Sequence, residues 1–276
     1  MPVRLTLPDT LRDRLDAADR ALIGLWASAS SPVTAEIVAG SGCDWVLLDA
    51  EHSPNGLESV LAQLHAMSAY PVAPLVRVPY GDTVAIKQFL DLGAQNLLVP
   101  MVDSAEQAEE IVRAVRYPPR GVRGVGSALA RSARWNRVDG YLGRADETVS
   151  LTVQIESAAA VAEAERILAV DGVDAVFIGP SDLAASMGLL GQQNHPDVVD
   201  AVLRTIERAV AAGVPAGVNA FVPEDADRYI AAGASFVAVG ADVAILARQT
   251  EALVARFAAG DGRSDGDVQT PPRASY

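Results

Sequence analysis

The 276-residue sequence predicts a single α/β domain folded as a closed (β/α)8 barrel, a TIM barrel. Eight short apolar runs alternate with segments whose apolar residues recur every three or four positions, which indicates strands alternating with helices. The runs are continuously apolar, as expected for a parallel sheet that is buried on both faces. The eight predicted strands are residues 21–26, 45–49, 73–78, 96–102, 149–155, 175–178, 215–218 and 236–239.

The main alternative, an open doubly wound sheet, lacks its usual sequence signature. A dinucleotide-binding sheet of that type carries a Gly-x-Gly-x-x-Gly turn after its first strand, and none follows residue 26. Within the barrel assignment, residues 1–20 are expected to cap one end of a barrel formed by residues 21–259. Residues 260–276, rich in Gly, Asp, Ser and Pro, are expected to form a disordered tail.

Composition narrows the functional classes. The formal net charge of −13 argues against nucleic-acid binding, which requires an excess of Lys and Arg on one face. There is no apolar run long enough to cross a bilayer and no N-terminal secretion signal, so we expect a cytoplasmic protein with small-molecule partners. The single cysteine, Cys43, excludes an internal disulfide and is expected to pack beside the second strand.

Polar residues at the predicted strand ends are the candidate site residues, because the loops that follow the strands carry the chemistry in this kind of barrel. A histidine and two carboxylates follow the second strand, an arginine ends the third, and further polar residues follow the fifth and sixth. These residues are Asp49, Glu51, His52, Arg77, Gln154, Glu156 and Asp182.

Glu156 and Asp182 are the candidate metal ligands. Two carboxylates on neighbouring strand ends, with no Cys or His beside them, suit a hard divalent ion such as Mg²⁺ or Mn²⁺. In the alternative interpretation, Asp182 caps the helix that begins at Leu183 and Glu156 pairs with an arginine. A His-rich zinc site is disfavoured because His65 and His195 do not lie at strand ends.

Arg77 has two interpretations, and the second is favoured. It either pairs with a nearby carboxylate or offers its guanidinium to a carboxylate or enolate oxygen of a substrate. The backbone amides of residues 179–182 form a second place to hold an anion. Lys87, the only lysine, lies in a helical segment, so Schiff-base chemistry is disfavoured and an enolate would need a metal ion.

Residues 113–144 form a basic segment that carries eight arginines and one acid, Asp139. These arginines either guide anionic substrates or meet the acidic surface of another subunit, and the second interpretation is favoured for most of them. Arg123, within the glycine-rich residues 121–126, is expected to lie nearest the site.

Six motifs, in order, resemble the HpcH/HpaI family of metal-dependent class II pyruvate aldolases. They are residues 44–52, 74–79, 87–95, 121–137, 154–156 and 178–183, which together extend over most of the chain. The resemblance implies a (β/α)8 barrel that assembles as a homohexamer. It also implies reversible cleavage of 4-hydroxy-2-oxo acids, such as 4-hydroxy-2-oxoheptanedioate or 2-keto-3-deoxy sugar acids, into pyruvate and an aldehyde.

The catalytic roles follow from the same resemblance. It implies that Glu156 and Asp182 bind Mg²⁺ or Mn²⁺, with Co²⁺ as a further candidate, and that pyruvate coordinates this ion. Arg77 would neutralise the developing enolate. His52 would act as the general acid/base, with Asp91 orienting its imidazole, although the pattern alone places Asp91 on the surface at a helix C-terminus.

Further site residues are implied on the substrate side. Gln154 and Trp26 would line the pyruvate pocket, although the pattern around Trp26 also fits a residue that only packs in the core. The amides near Ser181 would hold the substrate carboxylate, with Asp182 beside them. Asp49 and Glu51 would act as supporting charges behind the reacting groups.

Three other functions share part of this pattern. A citrate-lyase-like metal-enolate lyase would share these residues but would need a surface for CoA. An aldolase that uses hydroxypyruvate in place of pyruvate would keep the whole site. A catalytically silent barrel is opposed by the presence of every catalytic residue type.

Overall fold

The computed structural model describes residues 3–258 and shows a closed barrel of eight parallel strands that pair in chain order, with β1 returning to β8. This architecture confirms the predicted (β/α)8 fold and excludes the open sheet. The strands are β1 (Leu22–Ala27), β2 (Trp45–Asp49), β3 (Ala73–Arg77), β4 (Asn96–Val99), β5 (Ser150–Ile155), β6 (Ala175–Ile178), β7 (Ala216–Asn219) and β8 (Phe236–Ala241).

Helices connect successive strands and cover the outside of the barrel. The described helices are α1 (Leu11–Ala17), α2 (Pro32–Ala39), α3 (Leu57–Ala66), α4 (Thr83–Asp91), α5 (Ala105–Val115), α6 (Tyr141–Arg144), α7 (Ala158–Ala162), α8 (Ala164–Leu168), α9 (Pro180–Ser186), α10 (Pro196–Ala212), α11 (Pro223–Ala231) and α12 (Asp242–Ala258). Short 3₁₀ turns lie at Met67–Ala69, Arg131–Ala133 and Ala145–Thr148. No helix within residues 3–258 is long and apolar enough to cross a membrane.

Strand β4 is the one strand that differs clearly from its predicted bounds. It was predicted to run to residue 102, but it ends at Val99. Pro100 has no amide hydrogen to donate to a neighbouring strand. Met101 then adopts a left-handed backbone conformation with φ of 54°, which turns the chain out of the sheet.

Strand alternation separates two buried layers. Trp45 and Leu47 belong to the cluster inside the barrel, whereas Val46 and Leu48 belong to the layer between the barrel and its helices. Because side chains alternate along a strand, Asp49 is the next residue of β2 on the inner face. The inner face of β2 is therefore apolar at the N-terminal end of the strand and polar at its C-terminal end.

Three aromatic rings fill the lower part of the barrel. The ring centroid of Trp45 lies 6.2 Å from that of Phe177 and 5.6 Å from that of Phe236. The indole N–H of Trp45 donates to the backbone carbonyl of Leu22 at 3.2 Å, so the one polar atom of the ring is satisfied. Gly24 faces this ring, and an added Cβ there would lie 2.1 Å from it.

Helix α1 lies across the N-terminal ends of the strands. Leu11 and Leu15 are buried in the cluster that fills the barrel. The amide of Leu11 donates to Asn96 Oδ1 at 2.6 Å, at the first residue of β4. Thr10 and Asp13 form a capping box that starts the helix. The predicted tail at residues 260–276 lies outside the described residues.

The close packing at Gly24 generates a stability prediction. Gly24→Ala should lower the free energy of unfolding by about 1–3 kcal/mol or more, because the new methyl group overlaps a buried indole that has no room to move. Urea unfolding measures the change.

Gly143→Ala is the matched control, because an added Cβ at Gly143 meets nothing within 4 Å. Its free energy of unfolding should stay within about 0.5 kcal/mol of the parent value. Equal stabilities for the two variants would contradict the packing argument.

Candidate active site

A cavity of about 800 Å³ opens at the C-terminal ends of the strands. It brings together residues that the sequence analysis selected from five separate segments of the chain. Those that line it are Trp26, Asp49, His52, Arg77, Gln154, Ser181 and Asp182. Glu51 and Glu156 lie directly behind this lining, in contact with Arg77 and Gln154 respectively.

Arg77 is held by two carboxylates. Its Nε lies 2.8 Å from Asp49 Oδ1, and its NH1 lies 2.9 Å from Glu51 Oε2. The first pair follows from strand register, because Asp49 of β2 is directly opposite Arg77 of β3. Arg77 is only 3% exposed, and its guanidinium also lies 4.4 Å from the ring centroid of Trp26. The pairing interpretation, disfavoured from sequence, is therefore the one observed.

Asp49 also organises the turn that follows β2. It accepts hydrogen bonds from the amide of Glu51 at 3.0 Å and from the hydroxyl of Ser53 at 2.9 Å. Burial by itself would raise the pKa of Asp49, but the hydrogen bond and positive charge of Arg77 outweigh burial and lower that pKa below its usual value. An ionised Asp49 therefore fixes both Arg77 and the backbone that carries His52.

Glu51 and His52 face each other at the rim of the cavity. The imidazole Nε2 of His52 lies 3.8 Å from Glu51 Oε1, and 63% of the His52 side chain is exposed. Burial raises the pKa of Glu51 even though the charge of Arg77 opposes that shift. His52 thus combines access to solvent with a neighbouring carboxyl group, which suits a group that exchanges protons.

Glu156 is as deeply buried as Asp49, with an exposure of 2%. The amide of Met101 donates to its Oε1 at 2.8 Å, and the side-chain amide of Gln154 donates to its Oε2. Gly179 leaves the space that this carboxyl group occupies, because an added Cβ would lie 2.6 Å from Glu156 Oε2. The left-handed backbone at Met101 thereby aims an N–H at the buried acid.

The positive charge of Arg77 only partly opposes the burial of the Glu156 carboxyl group. Burial raises its pKa to about 8, and the negative charges of Asp182 and Glu51 add to this shift. Asp182 lies in the first turn of α9, directly after β6, with its side chain exposed to the cavity. A cation between Glu156 and Asp182 would remove this electrostatic cost.

The donor set fits a hard divalent ion that keeps water or substrate oxygens as ligands. Glu156 and Asp182 supply carboxylate oxygens, and the buried Gln154 Oε1 has no donor among the described residues. No cluster of three or more His, Cys, Asp or Glu side chains suited to a metal occurs within residues 3–258. Two carboxylate ligands would leave coordination positions open, as catalytic sites require.

Two residues that were predicted to belong to the site lie outside the cavity in the structure. Asp91 ends α4, so it lies near the N-terminal ends of the strands, opposite the end where His52 lies. Arg123, expected nearest the site, instead lies 3.6 Å from Asp91. Lys87, also on α4, packs its side chain near Gly124 and is not among the residues that line the cavity.

Sequence reasoning missed two contributors to the site. Asp242 accepts hydrogen bonds from the amides of Ser28 and Ala29 at 2.8 and 3.2 Å, which ties the β1 loop to the start of α12. Asp242 directly follows β8, so its position at a strand end is the sequence signal that identifies it. Met101 acts through its backbone amide, which side-chain identity does not reveal.

Comparisons with known proteins agree with this geometry. The family model described as HpcH/HpaI aldolase/citrate lyase matches residues 22–248. A hydroxypyruvate/pyruvate aldolase from Deinococcus radiodurans is 53% identical over 257 residues, which cover 93% of this chain and 92% of the relative. A 4-hydroxy-2-oxo-heptane-1,7-dioate aldolase from Escherichia coli is 51% identical over 242 residues, covering 88% of this chain and 92% of that protein.

A solved structure shows the same fold. An HpcH/HpaI aldolase/citrate lyase family protein from Burkholderia cenocepacia J2315 has a TM-score of 0.86 and 40% sequence identity, and the match covers 90% of this chain and 99% of that chain. The family model and the relatives both extend over nearly the whole barrel and include every strand that contributes to the cavity. The resemblance drawn from the sequence motifs is thereby confirmed: the chain belongs to the HpcH/HpaI aldolase/citrate lyase family and is a carbon–carbon lyase.

Proposed function

We propose that the protein is a metal-dependent class II aldolase that reversibly cleaves 4-hydroxy-2-oxo acids into pyruvate and an aldehyde. One observation carries the proposal: a fixed cation, Arg77, and an uncompensated acidic pair, Glu156 and Asp182, line or border the same cavity as an exposed histidine, His52. This arrangement provides charge stabilisation on one side and proton transfer on the other. Both named relatives are aldolases, which supports the same reaction class.

Glu156 and Asp182 would hold a divalent ion, with Mg²⁺ or Mn²⁺ the preferred candidates. When bound, such an ion supplies a Lewis acid that polarises the keto group and stabilises negative charge on its oxygen. The ion also accounts for the buried position of Glu156, because it offers the positive charge that the protein does not place there.

Arg77 supplies a second, permanent positive charge. Asp49 and Glu51 hold its guanidinium in place before substrate arrives, so little reorganisation is needed when negative charge develops. A preorganised charge of this kind lowers the barrier to enolate formation. Trp26 stacks against the same guanidinium and forms one wall of the pyruvate pocket.

His52 serves as the general acid/base. In the cleavage direction it removes the proton of the C4 hydroxyl, the C3–C4 bond breaks, and the bonding electrons become those of the pyruvate enolate. A proton delivered to C3 then completes pyruvate. Glu51, next to the imidazole, and solvent, which reaches it, allow His52 to exchange this proton between turnovers.

The remaining contacts position the substrate. Gln154 borders the pyruvate pocket, and the amides at the start of α9 near Ser181 would hold the substrate carboxylate. Hydroxypyruvate is a second candidate donor in place of pyruvate. The unpaired Gln154 Oε1 favours it, because this oxygen can accept a hydrogen bond from the extra hydroxyl. The name of the Deinococcus relative supports the same substrate.

We also propose that the protein forms a homo-oligomer, with a hexamer as the expected state. Helix α12 has 17 residues, of which only Asp242 is buried. Its exposed apolar side chains are Val243, Ile245, Leu246, Leu253, Val254 and Phe257. Asp91 can orient His52 only between two copies, because the two residues lie at opposite ends of one barrel.

The activity has a direct test. Purified protein with Mg²⁺ or Mn²⁺ should release pyruvate from 4-hydroxy-2-oxo acids, as measured by coupling to lactate dehydrogenase, and EDTA should abolish the release. His52→Ala and Arg77→Ala should each lower kcat by about 10²-fold or more, because one loses the proton-transfer group and the other the fixed charge.

Glu109→Gln is the control for these variants, because Glu109 is exposed on α5, outside the barrel. It should keep the parent kcat. Pyruvate release that is insensitive to EDTA, or near-normal turnover in the His52 and Arg77 variants, would contradict the proposed mechanism.

Glu156 should make the stability of the metal-free protein depend on pH. Its folded pKa of about 8 lies above the ordinary value of 4.5, so between these values the folded state holds a proton that the unfolded chain releases. The thermal midpoint in EDTA should therefore fall as pH rises through this window. Glu156→Gln should remove this contribution, while Glu109→Gln should not. An unchanged slope in Glu156→Gln would refute the assignment.

The oligomer proposal predicts the effect of charge on α12. The double variant Leu246→Glu, Leu253→Glu should dissociate the assembly, because each substitution places a charge in the proposed apolar contact. Analytical ultracentrifugation measures the mass. A parent protein that sediments as a monomer would contradict the proposal. Arg248→Glu, on the same helix, is the control and should leave the mass unchanged.

A further inference from the structure

Arg123 is a fully buried arginine outside the cavity. Its side chain has no exposed surface, and its guanidinium lies 4.5 Å from the ring centroid of Tyr117. Its NH2 donates to the hydroxyl of Tyr141 at 3.2 Å. Its Nε and NH1 have no hydrogen-bond partner among the described residues. A buried charge with so few partners is costly and calls for a functional explanation.

Asp91 is the acid that faces this arginine. Asp91 Oδ1 lies 3.6 Å from Arg123 NH2, and within residues 3–258 no other carboxylate lies within 4 Å of the Arg123 guanidinium. The Oδ1 atom is itself buried, whereas 29% of the Asp91 side chain remains exposed. One oxygen is thus directed toward the arginine while the rest of the group reaches the surface.

The backbone around Arg123 is fixed to the end of α5. The amides of Val122 and Arg123 donate to the carbonyls of Arg113 and Arg116 at 2.8 and 2.9 Å. Gly121 permits this contact, because an added Cβ there would lie 2.3 Å from both carbonyl oxygens. The guanidinium is therefore presented to Asp91 by a loop that is docked on a helix.

The other oxygen of Asp91 lies beside Gly126, where an added Cβ would lie 3.4 Å from Asp91 Oδ2. Because Oδ1 is buried while 29% of the side chain is exposed, the exposed part of the acid is not the oxygen that faces Arg123. The Asp91 carboxylate can therefore contact a group from outside its own chain.

We propose that Arg123 is a positioning residue that holds the Asp91 carboxylate in the orientation in which it contacts His52 of a second copy of the chain. The inference rests on the proposed function, which pairs Asp91 with His52 between copies. It assigns to Arg123 a role in proton transfer although the residue touches neither substrate nor metal.

A double-mutant cycle tests the proposal in the full-length, metal-loaded protein. Arg123→Met and Asp91→Asn should each lower kcat for pyruvate release by about 10-fold, with KM changed less than about 2-fold, because each removes the same orienting interaction. The double variant should be no slower than Asp91→Asn alone. Arg123→Lys, which keeps the charge, should recover part of the loss.

A milder variant covers the case in which Arg123→Met does not fold. Tyr141→Phe removes only the hydroxyl that orients the guanidinium, so it should lower kcat by about 2- to 5-fold in the parent background and leave kcat unchanged in the Asp91→Asn background. Arg120→Gln is the matched control, because Arg120 is an exposed arginine of the same segment that pairs with Asp146. It should keep the parent kcat.

The outcomes distinguish the role of Asp91 in the proposed function from the role of Arg123. Normal kcat in Asp91→Asn would overturn the role of Asp91 in the proposed function and this inference with it. A slow Asp91→Asn beside a normal Arg123→Met variant, or beside a normal Tyr141→Phe variant where Arg123→Met does not fold, would overturn only the role of Arg123. Losses that multiply in the double variants would do the same, because they would show that Arg123 acts independently of Asp91.

Discussion

The mouth of the barrel depends on one buried guanidinium, Arg77, which pairs with two of the carboxyl groups around it. Arg77 lies against Asp49 and Glu51, and its charge lowers the pKa of Asp49 while opposing the rise at Glu51. It does not offset the burial of Glu156, whose pKa is raised to about 8. The site is therefore electrostatically balanced on its β2–β3 side and short of positive charge on its β5–β6 side. The proposed divalent ion belongs on the second side for this reason.

This charge arrangement rests on a rigid apolar base. Below the charged residues, Trp45, Phe177 and Phe236 fill the barrel, and Gly24 gives the indole room. Because side chains alternate along a strand, every second residue faces the barrel interior. The inward-facing residues near the C-terminal end of a strand lie closest to the mouth, and these positions carry the polar groups of the site. A well-packed base keeps the ends of the strands in place, and this is what holds Arg77 and Glu156 in fixed positions.

Strand-end reasoning found most of the site because burial and position along a strand are local properties. An acid that directly follows an apolar strand, as Glu156 follows β5, has to lie at the mouth of a parallel barrel. The same reasoning did not find which acids pair with Arg77, because a single sequence does not show that Asp49 stands opposite it in the register of β2 and β3. It also missed Met101, whose contribution comes from a backbone amide in a left-handed conformation.

By itself, the sequence determined the class of fold and the residue types at the strand ends, because both depend on periodicity and order along the chain. The family motifs added the expected roles of Glu156, Asp182 and His52. Only the tertiary structure decided that Asp91 lies at the far end of the barrel from His52 and that Arg123 is buried beside it. The tertiary structure also decided which acidic side chains of the site lie beside a positively charged side chain. These features depend on distances between residues far apart in the chain, and a linear pattern does not contain those distances.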